Sequence, residues 1–289
     1  MPCASPYVVH TKEADWAVPC GRCPSCKKRR VNEWCFRLQW EQKRSVTAYF
    51  VTFTYTNENL TETKNGFATL VKRDFQLFMK RLRALQDYSE ELVKTPIKYY
   101  MCGEYGTQNW RPHYHAIIFN VLDKDNFAKA WQYGNVVVGS VTSDSIAYTL
   151  KYIDKDKRVP VHSRDDRLKE FSLMSKKLGD NYVDKFAKYH KSDYLNRYYL
   201  TRPNGVKVPM PRYYRDKIFS DEEKDHQNEH IVSNVVPRME DEAYKSFCKR
   251  HPNLEPSDLE TYHSFLAYRD SERSEDYRRF NKSNKTRKL

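Results

Sequence analysis

The chain has 289 residues, 39% hydrophobic and 31% charged, with a formal net charge of +13 and a sequence pI of about 9.2. That is enough for one large domain or two small ones, and a chain this basic is expected to meet a polyanion, nucleic acid above all. No stretch approaches the roughly 18 consecutive apolar residues of a membrane-spanning helix, and no basic-then-apolar leader is visible. A soluble, unexported protein with no membrane partner is therefore expected, whose seven cysteines do not form structural disulfides.

Four of those cysteines crowd the first 26 residues: Cys3, and the doubled C-x-x-C of Cys20-Gly-Arg-Cys23-Pro-Ser-Cys26. The C-x-x-C turn brings two thiolates to one tetrahedral ion, and Cys3 is the natural fourth ligand. A closed structural Zn2+ site is expected; a redox pair or free thiols is the alternative. Val31, Trp34, Cys35 and Leu38 then recur at helical spacing behind the basic run Lys27-Lys-Arg-Arg30, a candidate phosphate-contacting edge.

Ala48 to Tyr55 alternates aromatic and β-branched residues and reads as a central strand, ended by Asn57-Glu58-Asn59. Phe75, Phe78, Met79, Leu82 and Leu85 form the core stripe of a second helix, whose other face carries Lys72, Arg73, Lys80 and Arg83. Ile97 to Cys102 reads as a strand that runs through Gly103-Glu104-Tyr105-Gly106 into a polar loop. A partner strand returns from Pro112, making a hairpin with a loop longer than the tightest turns. Val136 to Val138 is a further short strand, and Ser143 or Asp144 is placed to cap the helix that follows. This order predicts an α+β fold: a central antiparallel sheet with helices packed on one side.

The returning strand contains His113-Tyr114-His115. Residues i and i+2 of a strand share a face, so both imidazoles project to one point above the sheet, as metal ligands do. Glu104, close in sequence, is the best third ligand; an exposed loop carboxylate is the bland reading. A mixed N/O site with open positions suits Mg2+ or Mn2+. On the next helix, Tyr148, Lys151, Tyr152 and Lys155 cluster within little more than a quarter of the circumference, while Ile146, Leu150 and Ile153 lie opposite. Two phenols and two ammoniums then share one face, although tyrosines straddling the core and solvated lysines give the same pattern. A phenol activated by cations beside a metal-polarised phosphodiester attacks phosphorus and exchanges one phosphodiester for another, which can be reversed without ATP.

After about residue 200 the apolar periodicity weakens. Ser220 to His230 is highly charged, and Arg278-Arg279 through Arg287-Lys288 is basic. Three segments are expected: a zinc-binding segment and helix over 1–45, the catalytic core over 46–200, and an accessory region with a mobile basic end over 201–289.

His113-Tyr114-His115 resembles the His-hydrophobe-His motif of HUH endonucleases, the rolling-circle replication initiators. Phe50 to Tyr55 looks like their first strand motif, and Tyr148-x-x-Lys151 and Tyr152-x-x-Lys155 each look like their tyrosine-lysine motif. The overlapped pair of tyrosines resembles the two-tyrosine initiators of Microviridae. Met1-Pro2-Cys3, the Pro19 to Cys26 run, Gly103-Glu104-Tyr105-Gly106 and Glu170 to Ser175 resemble the gokushovirus type. Two departures are the aromatic Tyr114 between the histidines and Leu178-Gly179-Asp180-Asn181 where the family has Pro-Gly-x-Gly; an asparagine tolerates the left-handed backbone that a glycine would take.

The resemblance implies an HUH, palm-like fold and a metal-dependent DNA nickase-ligase in the bacterial host's cytoplasm. It cuts single-stranded or supercoiled origin DNA through a 5′-phosphotyrosine and leaves a 3′-hydroxyl that primes the host machinery, helicase and polymerase. Catalytic roles would fall to Tyr148, Tyr152, Lys151 and Lys155, with Glu104, His113 and His115 on the metal. The competing readings are a single-tyrosine transposase or relaxase of the same chemistry, and a non-enzymatic zinc-containing nucleic-acid-binding regulator. The last would release DNA on denaturation, whereas the enzyme would hold it covalently.

Overall fold

Three apolar strands in the middle of the chain set the architecture of the protein, seen in a computed structural model that describes residue 3 and residues 6–10, 15–86, 96–154, 159–201 and 205–286. The chain divides into two compact units, one of Ser25–Asn181 and the other of Met1–Pro24 with Tyr182–Arg287.

In the first unit, helix α1 (Pro24–Arg44) leads to strand β3 (Ala48–Thr54), α2 (Lys72–Leu85), β4 (Lys98–Tyr105), β5 (Pro112–Phe119), the short α3 (Asn126–Ala130), β6 (Val136–Ser140), α4 (Ser143–Asp154) and β7 (Phe171–Met174); β1 (Tyr7–His10) and β2 (Asp15–Val18) precede them. The sheet has the order β6-β3-β5-β4-β7, and every pairing is antiparallel. The strand read as central, β3, is interior, but the middle position belongs to β5, the histidine strand.

Helices cover both faces of this sheet, not the one face that the sequence order predicts. Val51, Phe53, Met101, Tyr114, Ala116 and Ile118 bury against α2 and α3 through Phe75, Phe78, Leu82 and Phe127. On the opposite face Tyr100, Ile117 and Phe119 bury against Leu38 of α1 and Ile146 and Leu150 of α4. The reason lies in β5: beyond His115 it is apolar on both sides, so each face must be removed from water. Each fully buried aromatic or aliphatic side chain contributes about 1.5–3 kcal/mol. Helix α1, grouped by sequence with the cysteine segment, thus packs on the sheet.

Local details depart from the pattern. Leu85 ends α2 and is exposed, outside the buried stripe of Phe75, Phe78, Met79 and Leu82. Strand β4 continues to Tyr105, so Gly103 and Glu104 are strand residues with ladder partners. Gly103 pairs with Tyr114, and a Cβ there would stand 3.1 Å from the Tyr114 ring and press on it. Thr142, rather than Ser143 or Asp144, caps α4: its Oγ1 accepts from the Ser145 amide at 3.1 Å, and its own amide donates to Ser145 Oγ at 2.8 Å. In the turn after β7 the left-handed positions are Lys177 and Gly179. Asn181 instead sits at the helical start that follows, its Nδ2 donating to the Trp40 carbonyl at 2.9 Å.

The fully buried carboxylate Glu41 of α1 ties that turn down. It accepts from Arg44 Nε and Nη2 at 2.9 and 2.6 Å and from the Gly179 amide at 2.7 Å, and it pairs with Lys98 Nζ at 3.3 Å. Arg44 also reaches Asp180 at 2.6 Å, and its guanidinium is held more firmly protonated by both carboxylates against the cost of burial.

In the second unit the β1–β2 hairpin is joined by α5 (Asn181–Lys191), the hairpin of β8 (Tyr199–Thr201) and β9 (Lys207–Pro209), α6 (Arg212–Ile218), α7 (Asp221–His230), a π-helical turn (Ile231–Val235), α8 (Val236–Arg250) and α9 (Leu259–Thr286). Ser220 and Glu223 form a capping box that starts α7 in the charged stretch. The basic end, read from sequence as mobile, continues α9 to Thr286. That helix starts on an apolar patch in which Phe265 packs with Phe247 and Tyr244 of α8. Among the described residues no helix is long and apolar enough to cross a membrane.

Glu41→Ala leaves the half-buried Arg44 and Lys98 and the buried Gly179 amide without this carboxylate, and is expected to lower unfolding free energy by about 1–3 kcal/mol. Urea denaturation of the variant against the parent chain measures this.

Candidate active site

Register, not sequence proximity, brings the three predicted ligands together. In the β4–β5 ladder Glu104 lies directly opposite His113, and Cys102 opposite His115. Glu104, His113 and His115 therefore project from the same sheet face, and their ligand atoms all lie within 4.8 Å of one another. Glu104 Oε1 is 2.8 Å from His113 Nε2 and 3.2 Å from His115 Nε2. Glu104 and His115 are buried, at 5% and 7% exposure, and His113 is half-buried.

The far nitrogen of each ring is held. His113 Nδ1 donates to the Arg111 carbonyl at 3.1 Å. Nε2 of the same ring is turned toward Glu104 Oε1. His115 Nδ1 is 2.9 Å from the hydroxyl of Thr52, its direct ladder partner on β3. Arg111 is pinned in turn, Nη2 donating to the Tyr55 carbonyl at 2.6 Å and Nη1 to Asn57 Oδ1 at 2.8 Å. Such partners orient imidazoles and fix their tautomers around metal ions. One carboxylate oxygen and two imidazole nitrogens converging at these distances form a mixed N/O donor set that a divalent cation satisfies.

Tyr148 stands against this triad. Its ring meets the His115 ring edge to face, with centroids 5.1 Å apart. Phe50 lies parallel to the His115 ring at 5.7 Å and meets Tyr148 at 6.2 Å. Tyr148 is 39% exposed, open to a substrate arriving from solvent. Ile146 and Leu150 are buried on the sheet as the helical wheel requires. The backbone of α4 carries Lys151 and Tyr152, but their side chains, and Lys155 and Ile153's side chain likewise, lie outside the described residues.

Tyr114, between the two histidines, points to the opposite face and is fully buried. Its hydroxyl donates to the Val71 carbonyl at 2.9 Å, accepts from the Val71 amide at 2.9 Å and meets Tyr55 Oη at 2.8 Å. Burial pushes its phenol above the ordinary tyrosine range. It stays protonated and anchors β5 to the start of α2.

The four N-terminal cysteines also converge, all sulfurs within 4.8 Å of one another. The Cys20 thiol is pushed down to about 6 by amides of Arg22 and Cys23 directed at its sulfur. Sequence reasoning did not assign roles to Phe50 and Thr52 or to the Arg111 carbonyl. Their signal was present only as alternation in β3, since which strand pairs with β5, and in what register, is a tertiary fact.

The family model of replication-associated protein ORF2/G2P matches residues 48–157, from the start of β3 past the end of α4. The replication-associated protein VP4 of Bdellovibrio phage phiMH2K is 31% identical over 224 residues, 70% of this chain and 68% of that protein. The replication-associated protein ORF2 of Spiroplasma virus 4 is 27% identical over 254 residues, 81% of this chain and 76% of that protein. The replication-associated protein ORF4 of Chlamydia phage 1 is 25% identical over 232 residues, 71% of this chain and 54% of that protein. No solved structure matches the chain.

Thr52→Val keeps the strand and its β-branched shape but removes the partner of His115 Nδ1. Divalent-ion affinity at the triad is expected to fall about 10- to 100-fold, as read by Mn2+ titration of the purified protein.

Proposed function

The chain belongs to the replication-associated proteins of Microviridae-type phages, and from that premise we propose that it is a replication initiator acting as a site-specific, single-strand DNA endonuclease and strand transferase of HUH type. The observation that carries the reading is the convergence of Glu104, His113 and His115 beneath the half-exposed ring of Tyr148.

The donor set fits Mg2+ or Mn2+, held by Glu104, His113 and His115. Such an ion would polarise the scissile phosphodiester and neutralise the charge developing on its oxygens.

The remaining work falls to the chain itself. Tyr148 Oη forms a bond to phosphorus as the bond from phosphorus to the 3′-oxygen breaks. The phenolic proton is lost, the departing 3′-oxygen takes up a proton, and the DNA is left on the enzyme as a 5′-phosphotyrosine. One phosphodiester replaces another, so the 3′-hydroxyl can attack in reverse and rejoin strands without ATP. Tyr152 follows Tyr148 by four residues on α4, the spacing that puts two residues on one helical strip. It is the natural second nucleophile, cutting the regenerated origin after one round. Lys151 and Lys155 have the charge to position the phosphate or stabilise the leaving oxygen. Phe50 and Thr52 keep the His115 ring in place while Tyr148 reacts.

The partner is origin DNA, single-stranded or supercoiled, in the host cytoplasm. The net charge of +13 supports this, as do exposed Lys28, Arg29 and Arg30 on α1 and Lys72, Arg73, Lys80 and Arg83 on α2. The freed 3′-hydroxyl is the primer for the host helicase and polymerase.

The decisive experiment incubates end-labelled, origin-containing single-stranded DNA with the protein and Mn2+, then separates products under denaturing conditions and maps any adduct by mass spectrometry. An adduct on Tyr148 or Tyr152 is expected; specific binding with no adduct under any divalent metal leaves a non-enzymatic DNA-binding protein. Tyr148→Phe and Tyr152→Phe are each expected to impair a different step with binding nearly intact, and the double variant to abolish nicking. His113→Ala should lower cleavage on the order of 10²–10³-fold; undiminished cleavage with the metal chelated would remove the triad from the reaction.

A further inference from the structure

The N-terminal segment has a geometry independent of the nicking chemistry. Cys3 precedes β1, Cys20 and Cys23 follow β2, and Cys26 lies in the first turn of α1. We infer that these four thiolates hold one tetrahedral Zn2+, and that the ion is the clamp that keeps the β1–β2 hairpin folded.

The distances favour a single ion. A Zn–S bond of about 2.3 Å in a tetrahedron places its sulfurs about 3.8 Å apart. Cys3 and Cys23 Sγ are 3.8 Å apart, and no pair among the four exceeds 4.8 Å. A disulfide would need about 2 Å, and all four cysteines are unbridged. Thiolates on different metals of a cluster would spread wider than this.

The backbone is shaped for thiolates. The Cys20 amide donates to Cys3 Sγ at 3.2 Å. The Arg22 and Cys23 amides donate to Cys20 Sγ at 3.4 and 3.3 Å. Bringing those two amides onto one sulfur requires the left-handed backbone of Gly21, φ 71°. Cys23 and Cys26 are buried at 6% and 5% exposure, as suits a closed site with no position for substrate.

The hairpin needs such a clamp. Its strands are four residues each, and every residue of β1 is exposed. Tyr7, Val8, Val9 and Val18 are 49%, 55%, 44% and 36% exposed, so these four side chains contribute little burial. A two-stranded hairpin without packing is marginal in water. The register runs from Tyr7 opposite Val18 to His10 opposite Asp15. Cys3 and Cys20 therefore stand at its open end, where fixing both chains to one ion removes most of the closure entropy.

The test uses the full chain, purified without added metal and analysed by elemental mass spectrometry. One zinc per chain is expected, retained through EDTA dialysis and released as an organomercurial blocks the thiols. Glu104→Gln should keep that zinc and Cys23→Ser should lose it. If Cys23→Ser does not fold, the release titration on the unmodified chain reads the same stoichiometry. Hydrogen exchange at the amides of residues 7–10 and 15–18 should quicken at least about tenfold on release. Iron in place of zinc, a disulfide among these cysteines, zinc kept by Cys23→Ser but lost from Glu104→Gln, or unchanged exchange after release would each overturn the inference.

Discussion

Antiparallel pairing of β5 with a strand on either side is the constraint on which the site depends. It places Glu104 across from His113 and Thr52 across from His115. One ladder thus delivers a carboxylate, and the other the hydroxyl that orients an imidazole. A slip of one residue in either pairing would carry the partner to the opposite face. The site accordingly sits on the two most enclosed strand pairings, where both faces are packed and slippage is most costly.

The two faces of β5 divide the work. One side carries His113 and His115; the other carries Tyr114, locked by three hydrogen bonds to Tyr55 and the backbone of Val71. Gly103 makes room for that ring across the ladder. The aromatic residue between the histidines therefore adds a polar anchor to the apolar packing. Asp74, half-buried beside Tyr55, has its carboxyl pushed up by desolvation against the pull of the tyrosine hydroxyls.

Helix α4 links the fold to the chemistry. Its apolar residues Ile146 and Leu150 dock on the sheet while Tyr148 projects over His115. A tyrosine mounted on a packed helix, above a carboxylate and two imidazoles mounted on central strands, is positioned by elements that cannot move independently of the core. The N-terminal cysteines gather instead at the open end of a short hairpin whose first strand is exposed throughout.

The local sequence determined the pieces. Spacing of two in a β-prone run put His113 and His115 on one face, C-x-x-C spacing gathered the cysteines, and the helical wheel separated Tyr148 from Ile146 and Leu150. These are short-range consequences of backbone periodicity, which needs no knowledge of partners. Strand pairing and packing were not legible in the same way. Glu104 read as a residue before a loop became a buried ladder partner, Thr52 acquired a role only through β3 lying beside β5, and helices came to cover both faces because Ile117 and Phe119 needed burial as much as Ala116 and Ile118. The cap of α4 and the left-handed positions of the Lys177–Gly179 turn were settled by neighbouring hydrogen bonds rather than by residue preference. What the sequence by itself determined was the set of reactive groups and the face each one takes; which of them meet was decided by tertiary structure alone, because register and layer packing are set by contacts between residues far apart in the chain.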